Sequence, residues 1–177
     1  MAIERSVKDF IIPLTDYPHI PYWFSVRQAI FMFKAAAESN AKVSPRFILV
    51  FDEKYQLLGY LGCREMLRGI EPRFLKRPEA LHYQGSRPAD KTKDLALLWK
   101  DLFHSGCKEE ANKPVREIMS PIQITVNIND PIIKAAYAMT QTDMEIIAVL
   151  DNQKVAGVVR MVDLFQEITD IVLENES

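Results

Sequence analysis

Cysteine is scarce in this 177-residue chain, and its two copies, Cys63 and Cys107, lie in unrelated contexts. No CxxC pair or regular Cys/His spacing suggests a zinc site, and a reducing cytoplasm is the compartment that fits. An excess of one charge is also missing: 22 Lys and Arg face 24 Asp and Glu, a formal charge of −2. Tracking a phosphate backbone needs clustered Lys and Arg, so nucleic acid is not an expected partner. No apolar run approaches the length of about 20 residues that spans a bilayer. The N-terminal Met-Ala-Ile-Glu-Arg-Ser-Val-Lys-Asp carries charges where a secretory signal has its apolar core. Membrane insertion is therefore not expected. Catalytic machinery is absent too: no Ser-His-Asp or Cys-His arrangement, phosphate-cradling glycine loop or pair of catalytic carboxylates can be assembled. His19 and His82 sit in Pro-rich loops without an acid or nucleophile at telling spacing. His104 and Cys107 form a lone His-x-x-Cys, short of a metal site and read as a helix end. The chain is not expected to be an enzyme.

What is present is a repeat, in a chain long enough for one domain or two small subdomains sharing a core. Val7-Lys8-Asp9-Phe10-Ile11-Ile12-Pro13 matches Val115-Arg116-Glu117-Ile118-Met119-Ser120-Pro121. Ala29 then matches Ala135, Asp52 matches Asp151, Gly59 matches Gly157 and Glu65 matches Asp163, with small slips falling in loops. In the first copy, Ser25 is a good N-cap for a helix whose Val26, Ala29, Ile30, Phe33 and Ala37 recur at helical spacing. The apolar run 47–51, a turn at Asp52-Glu53-Lys54 and the run 57–61 predict a hairpin covered on both sides. A short helix from about Arg64 to Gly69 follows. In the second copy, Asp130 is the expected N-cap with Pro131 at the first helical position, and Ile132, Ala135, Ala136 and Met139 form the buried stripe. The hairpin recurs at 146–150 and 155–159. The last helix presents Leu164, Phe165, Ile168, Ile171 and Val172 on one side, expected to pack on the core.

The division is therefore 1–75 for the first copy, 76–113 for an insertion and 114–177 for the second copy. In the insertion, Leu95, Leu98, Trp99 and Leu102 mark an amphipathic helix stopping before Gly106. It docks on its own module, or Trp99 and Phe103 serve as aromatic anchors for a second subunit or client protein.

The Ile-Met-Ser-Pro entry at 118–121, the Val-Leu-Asp-Asn turn at 149–152 and the Gly-Val-Val-x-x-x-Asp-Leu exit at 157–164 together resemble a CBS motif, the unit named after cystathionine β-synthase. Two copies resemble the tandem pair called a Bateman module. The resemblance implies a mixed α+β, α/β fold of two pseudo-symmetric β-α-β-β-α motifs packed as one module, with the inserted helix between them. It implies two equivalent clefts that take adenosine-containing ligands, with AMP, ADP, ATP or S-adenosylmethionine as possible regulatory ligands and no cofactor required. It also implies a homodimer, through the last helices of the two motifs. The copies and the insertion use the whole chain, so the output is expected to pass to a client protein.

The implied ligand set is Asp163, Arg160, Glu65, Gly62, Ser120, Thr125 and Ile147. Adenine would lie between apolar strand residues, ribose hydroxyls would meet the acid at the start of each last helix, and phosphates would approach a Ser or Thr three residues before it. A strand running into a helix start suits phosphate on physical grounds, since it collects unpaired N–H groups and the positive dipole end. A carboxylate beside it accepts two ribose hydroxyls. The family pattern Gly-x-x-(Ser/Thr)-x-x-Asp becomes Gly59 to Glu65 with Gly62 at the hydroxyl position, and Gly157 to Asp163 with Arg160 there. The second cleft keeps Asp and is the better match. Asp163 with Gln166 also has the form of a capping box, and Arg160 can either grip a phosphate or pair with Asp163. Cys63 near a helix start would suit a redox thiol, but a buried, inert cysteine is the expectation. The leading reading is a regulatory module that senses an adenine nucleotide or adenosyl ligand and signals to a partner. The alternative is a ligand-free scaffolding dimer, which predicts contact between Arg160 and Asp163.

Overall fold

The computed structural model describes residues 5–38, 46–73 and 103–173. The first half supplies β1 (Ile12–Pro13), β2 (His19–Pro21), α1 (Val26–Glu38), β3 (Phe47–Phe51), β4 (Leu57–Gly62) and α2 (Cys63–Ile70). After α3 (His104–Glu110) come β5 (Ser120–Pro121), β6 (Thr125–Asn127), α4 (Ile132–Thr142), β7 (Ile146–Asp151), β8 (Lys154–Arg160) and α5 (Met161–Leu173). Each half thus has the expected strand, helix, strand, strand, helix order, preceded by a two-residue strand.

Those short leading strands are exchanged. One sheet runs β2-β3-β4-β5 and the other β1-β8-β7-β6, so each half completes its partner's sheet. Register repeats the relation: Pro13 sits opposite Gly157, and Pro121 opposite Gly59. Backbone bonds repeat it again, with Val7 N–H donating to the Asp130 carbonyl and Val115 N–H to the Phe24 carbonyl, each at the start of the other half's first helix. The two glycines are where the crossing strands come closest. A Cβ on Gly59 would overlap the Ser120 carbonyl oxygen, and one on Gly157 the Ile12 carbonyl oxygen.

The hairpin strands are buried on both faces, as continuous apolar runs require. Ile48 and Val50 of β3 pack with Ala29, Leu61 and the crossing Val115, while Ile147 and Val149 of β7 pack with Ala135, Met139, Leu164 and the crossing Val7. The opposite faces meet between the sheets, where Tyr17, Phe47, Leu49, Phe51, Tyr60, Met144, Ile146 and Val158 form a shared core.

Local signals hold in most places. Ser25 Oγ accepts the Gln28 N–H at 3.2 Å while Gln28 Oε1 accepts the Ser25 N–H at 2.9 Å, a reciprocal cap on α1. The start of α4 differs from expectation. Pro131, with extended ψ, is the N-cap. Asp130 stands one residue outside, accepting the Asn127 N–H and the Lys134 ammonium at 2.8 Å each. The first helical N–H, that of Ile132, instead donates to the Arg5 carbonyl of the crossing segment. Phe165 and Val172 are a second correction. They are 63% and 67% exposed, while Leu164 and Ile168 of α5 meet the core, because an apolar stripe wider than the contact leaves its edge in solvent. The expected helix at Leu95 to Leu102, and the contact at Trp99, lie outside the described residues. Where the insertion re-enters the described chain, α3 begins at His104, includes Gly106 and Cys107, and packs on α2.

Candidate ligand-binding clefts

Each hairpin's second strand runs straight into a helix, β4 into α2 at Gly62 and β8 into α5 at Arg160. The exchanged strand of the other half lies alongside, so each junction combines a helix start with residues from both halves. Around these junctions the described residues line three adjoining cavities.

At the first junction Glu65, in the third position of α2, is only 6% exposed and both its oxygens are engaged. Oε2 accepts the Gly62 N–H and Oε1 the Ser120 hydroxyl, each at 2.8 Å. The missing hydroxyl residue now has a cause: a Cβ on Gly62 would stand 3.1 Å from Glu65 Oε2 and 3.0 Å from the Phe47 ring. Glutamate is one methylene longer than aspartate, so it folds back into the space a serine or threonine at position 62 would take. A cavity of about 480 Å³ opens here, bounded by Phe33, Ala37, the Arg46–Phe47 and Asp143/Glu145 walls, and residues 60 and 62–65. Phe47 and Tyr60 meet edge to face, centroids 5.4 Å apart. Burial first, then the Glu65 carboxylate, pushes the Tyr60 phenol up. Arg64 reaches across the halves to within 3.9 Å of Asp143 and of Glu145. Cys63, the first residue of α2, is exposed rather than buried, because it borders this open cavity.

At the second junction the arrangement is different. Arg160 Nε and Nη2 donate to the two oxygens of Asp163 at 2.7 and 2.6 Å, a bidentate pair with side chains 15% and 21% exposed. That hydrogen bonding holds the Arg160 guanidinium above its ordinary range. The Asp163–Gln166 capping box does not form, since α5 begins at Met161 and puts Asp163 inside the first turn. Asp163 is therefore the positional counterpart of Glu65. Its carboxylate meets the side chain of the strand's last residue rather than that residue's N–H. Arg160 lines two cavities at once. One, of about 400 Å³, runs along β1 and α5 past Asp9, Glu167 and Asp170; the other, of about 360 Å³, shares Arg46, Phe47, Asp143 and Glu145 with the first cleft. Beside the guanidinium, Tyr17 is 1% exposed; its hydroxyl makes no hydrogen bond of full geometry among the described residues, but Arg160 lies close enough to act on it as a donor. Burial pushes the Tyr17 phenol up to about 12, against the opposing pull of Arg160.

Of the residues expected from sequence, Glu65, Gly62 and Ser120 come together in the first cleft and Arg160 and Asp163 in the second. Ile147 is fully buried under α4, and Thr125 is exposed on β6; neither lines these cavities. Sequence reading missed Arg46, Phe47, Tyr60, Arg64 and Tyr17. The hairpin register could have found two of them, since Phe47 pairs with Gly62 and carries Arg46 beside the junction. Tyr17 has no such signal.

Residues 115–170 match the CBS domain family model. No curated protein matches the chain. Among solved structures, the chain is similar to the CBS domain of a CBS domain-containing membrane protein from Sphaerobacter thermophilus, at 15% identity over 93% of this chain and 89% of that one, TM-score 0.62. It is similar to the CBS-pair protein CBSX2 from Arabidopsis thaliana, at 17% identity over 94% and 96%, TM-score 0.58. A CBSX2 structure in complex with AMP matches at 16% identity over 94% and 98%, TM-score 0.58. The cytosolic domain of the Mg²⁺ channel MgtE in complex with ATP matches at 19% identity over 93% of this chain and 49% of that one, TM-score 0.57. Likeness at these identities establishes the fold. Among the described residues no helix is long and apolar enough to cross a membrane.

Proposed function

Taking residues 115–170 as a CBS domain within a chain of CBS-pair fold, we propose that the protein is a regulatory module whose first cleft takes an adenine nucleotide or another adenosyl ligand. One observation carries the reading. A nine-tenths buried carboxylate, Glu65, stands at the start of α2 in a cavity of about 480 Å³ with an aromatic wall and two guanidiniums. That volume lies within the range of small-molecule sites. A ribose diol replaces the donors now held by Glu65, adenine covers Phe47 and Tyr60, and phosphate faces the α2 start with Arg64 and Arg46. The AMP complex of CBSX2 and the ATP complex of the MgtE domain support this ligand class.

The output follows from Arg64. In the free chain it leans toward Asp143 and Glu145 of the other half, and a bound phosphate competes for it, loosening one tie between the halves. The altered relation of the halves is read by a client protein, with a homodimer as the acting unit and the cytoplasm as its setting.

Thermal shift tests the reading with AMP, ADP, ATP and S-adenosylmethionine on the parent chain and on Glu65→Gln. A ligand at about 100 times its Kd stabilises by roughly 2.7 kcal/mol, or about 5–10 °C here. The shift is expected in the parent and lost in the variant. Absence of any shift in the parent would reject sensing and favour the scaffolding dimer, a reading that the Arg160–Asp163 contact supports at the second cleft.

A further inference from the structure

We infer that Arg160 is the specificity-determining residue of the second cleft, admitting only ligands that bring their own anion alongside a diol; this rests on the nucleotide reading above. In the free chain both guanidinium donors aimed at Asp163 are used, so the carboxylate that would hold a diol is already occupied. A neutral nucleoside offers Arg160 nothing in exchange and leaves the pair closed. A phosphate offers a second bidentate acceptor, and guanidinium binds carboxylate and phosphate with the same fork geometry.

The fold provides the second position for that exchange. Arg160 forms part of the wall between the cavity along β1 and the central cavity lined by Arg46, so it can leave Asp163 toward a region where another guanidinium already favours an anion. The buried Tyr17 hydroxyl lies within the electrostatic reach of both guanidiniums, and its contact with Arg160 falls short of full hydrogen-bond geometry. A buried hydroxyl with an incomplete hydrogen bond is costly, and a guanidinium turned off Asp163 can complete the Arg160–Tyr17 contact. The cavity along β1 is the more acidic, with Asp9, Glu167 and Asp170 beside the Arg160–Asp163 pair, whereas the central cavity sets Arg46 and Arg160 against Asp143 and Glu145. The phosphate therefore belongs on the Arg46 side and the diol on the Asp163 side.

The test combines calorimetry with NMR of arginine Nε–H signals on the full chain, using AMP and adenosine, with Arg160→Lys to identify the Arg160 signal. AMP is expected to fill two sites per chain and move that signal; adenosine is expected to fill one and leave it in place. In Arg160→Ser, adenosine gains the second site and AMP loses on the order of tenfold in affinity there. Movement of the Arg160 signal by adenosine, a stationary signal with AMP bound at two sites, or AMP binding at one site only would overturn the inference. If the parent binds neither compound, the nucleotide reading fails by itself. Inorganic phosphate then decides the inference separately: it stands if phosphate moves the Arg160 signal and falls if phosphate does not.

Discussion

Replacing Ser120 by Ala tests whether the first cleft is assembled from both halves. The Ser120 hydroxyl comes from the second half of the chain and donates at 2.8 Å to Glu65 Oε1, on a residue 6% exposed in the first. The remaining oxygen keeps the Gly62 N–H, so the substitution removes one donor from a buried carboxylate. Hydrogen bonds to charged groups are worth about 1.5–3 kcal/mol, and a buried acceptor left without a partner incurs its full desolvation cost. A loss of about 2 kcal/mol follows, which for a chain of this length lowers Tm by roughly 4–8 °C. Urea and thermal melts of the parent, Ser120→Ala, Glu65→Ala and the double variant close a thermodynamic cycle. If the bond is the cause, Ser120→Ala costs little once Glu65 is gone, with a coupling energy of about 1–2 kcal/mol. Equal costs in both backgrounds, or a single-variant cost below about 0.5 kcal/mol, would refute the geometry on which the cleft rests.

Two further outcomes are expected. Gly157→Ala places a Cβ against the Ile12 carbonyl oxygen, which is backbone and cannot turn aside. It should cost about 3 kcal/mol or more and release β1 from β8, seen as faster amide exchange at the β1–β8 pair; an unchanged exchange rate would argue against strand exchange. Tyr17→Phe removes a buried hydroxyl whose contact with Arg160 falls short of full hydrogen-bond geometry, and should be neutral or stabilising by up to about 1 kcal/mol. It also changes the alkaline limb. The folded phenol titrates at about 12 against 10 unfolded, so its contribution is intact below pH 10 and is lost as pH rises toward 12. Denaturation curves of Tyr17→Phe should show a shallower fall across that window, and an identical slope would contradict the burial.

The fold was legible because its signals are periodic and doubled. The matched Pro13/Pro121 and Gly59/Gly157 pairs fix the same strand contact twice, and Ala29 and Ala135 mark the same buried helix face. Exchange of β1 and β5 was not legible, because a repeat shows which segments correspond and not which copy each one joins. Edges of elements failed for physical reasons of the same kind. Asp130 and Pro131 carry strong capping preferences, yet the Arg5 carbonyl from the crossing segment accepts the first N–H of α4 and displaces the expected cap by one residue. Phe165 reads as core by spacing, whereas exposure depends on how wide a contact α5 makes.

The candidate clefts were legible in part as positions, since Thr125 and Ile147 line none of the cavities described, and not as chemistry. Both departures from the Gly-x-x-(Ser/Thr)-x-x-Asp pattern look like losses when each residue is taken singly. In space they are paired replacements. Gly62 leaves the space through which Glu65 returns to its N–H, and Arg160 supplies the two donors that Asp163 accepts. Each pair satisfies its own acid, but the consequences differ. Glu65 is held by a backbone N–H and a hydroxyl, neutral donors that a ribose diol can replace like for like. Asp163 is held by a full charge that a diol cannot match. On the proposed nucleotide reading, the two clefts therefore differ in what opens them, and ligand is expected to fill the first at lower concentration than the second. A two-step response to one rising ligand, with the second step set by the anion, is the outcome that a titration of both sites checks.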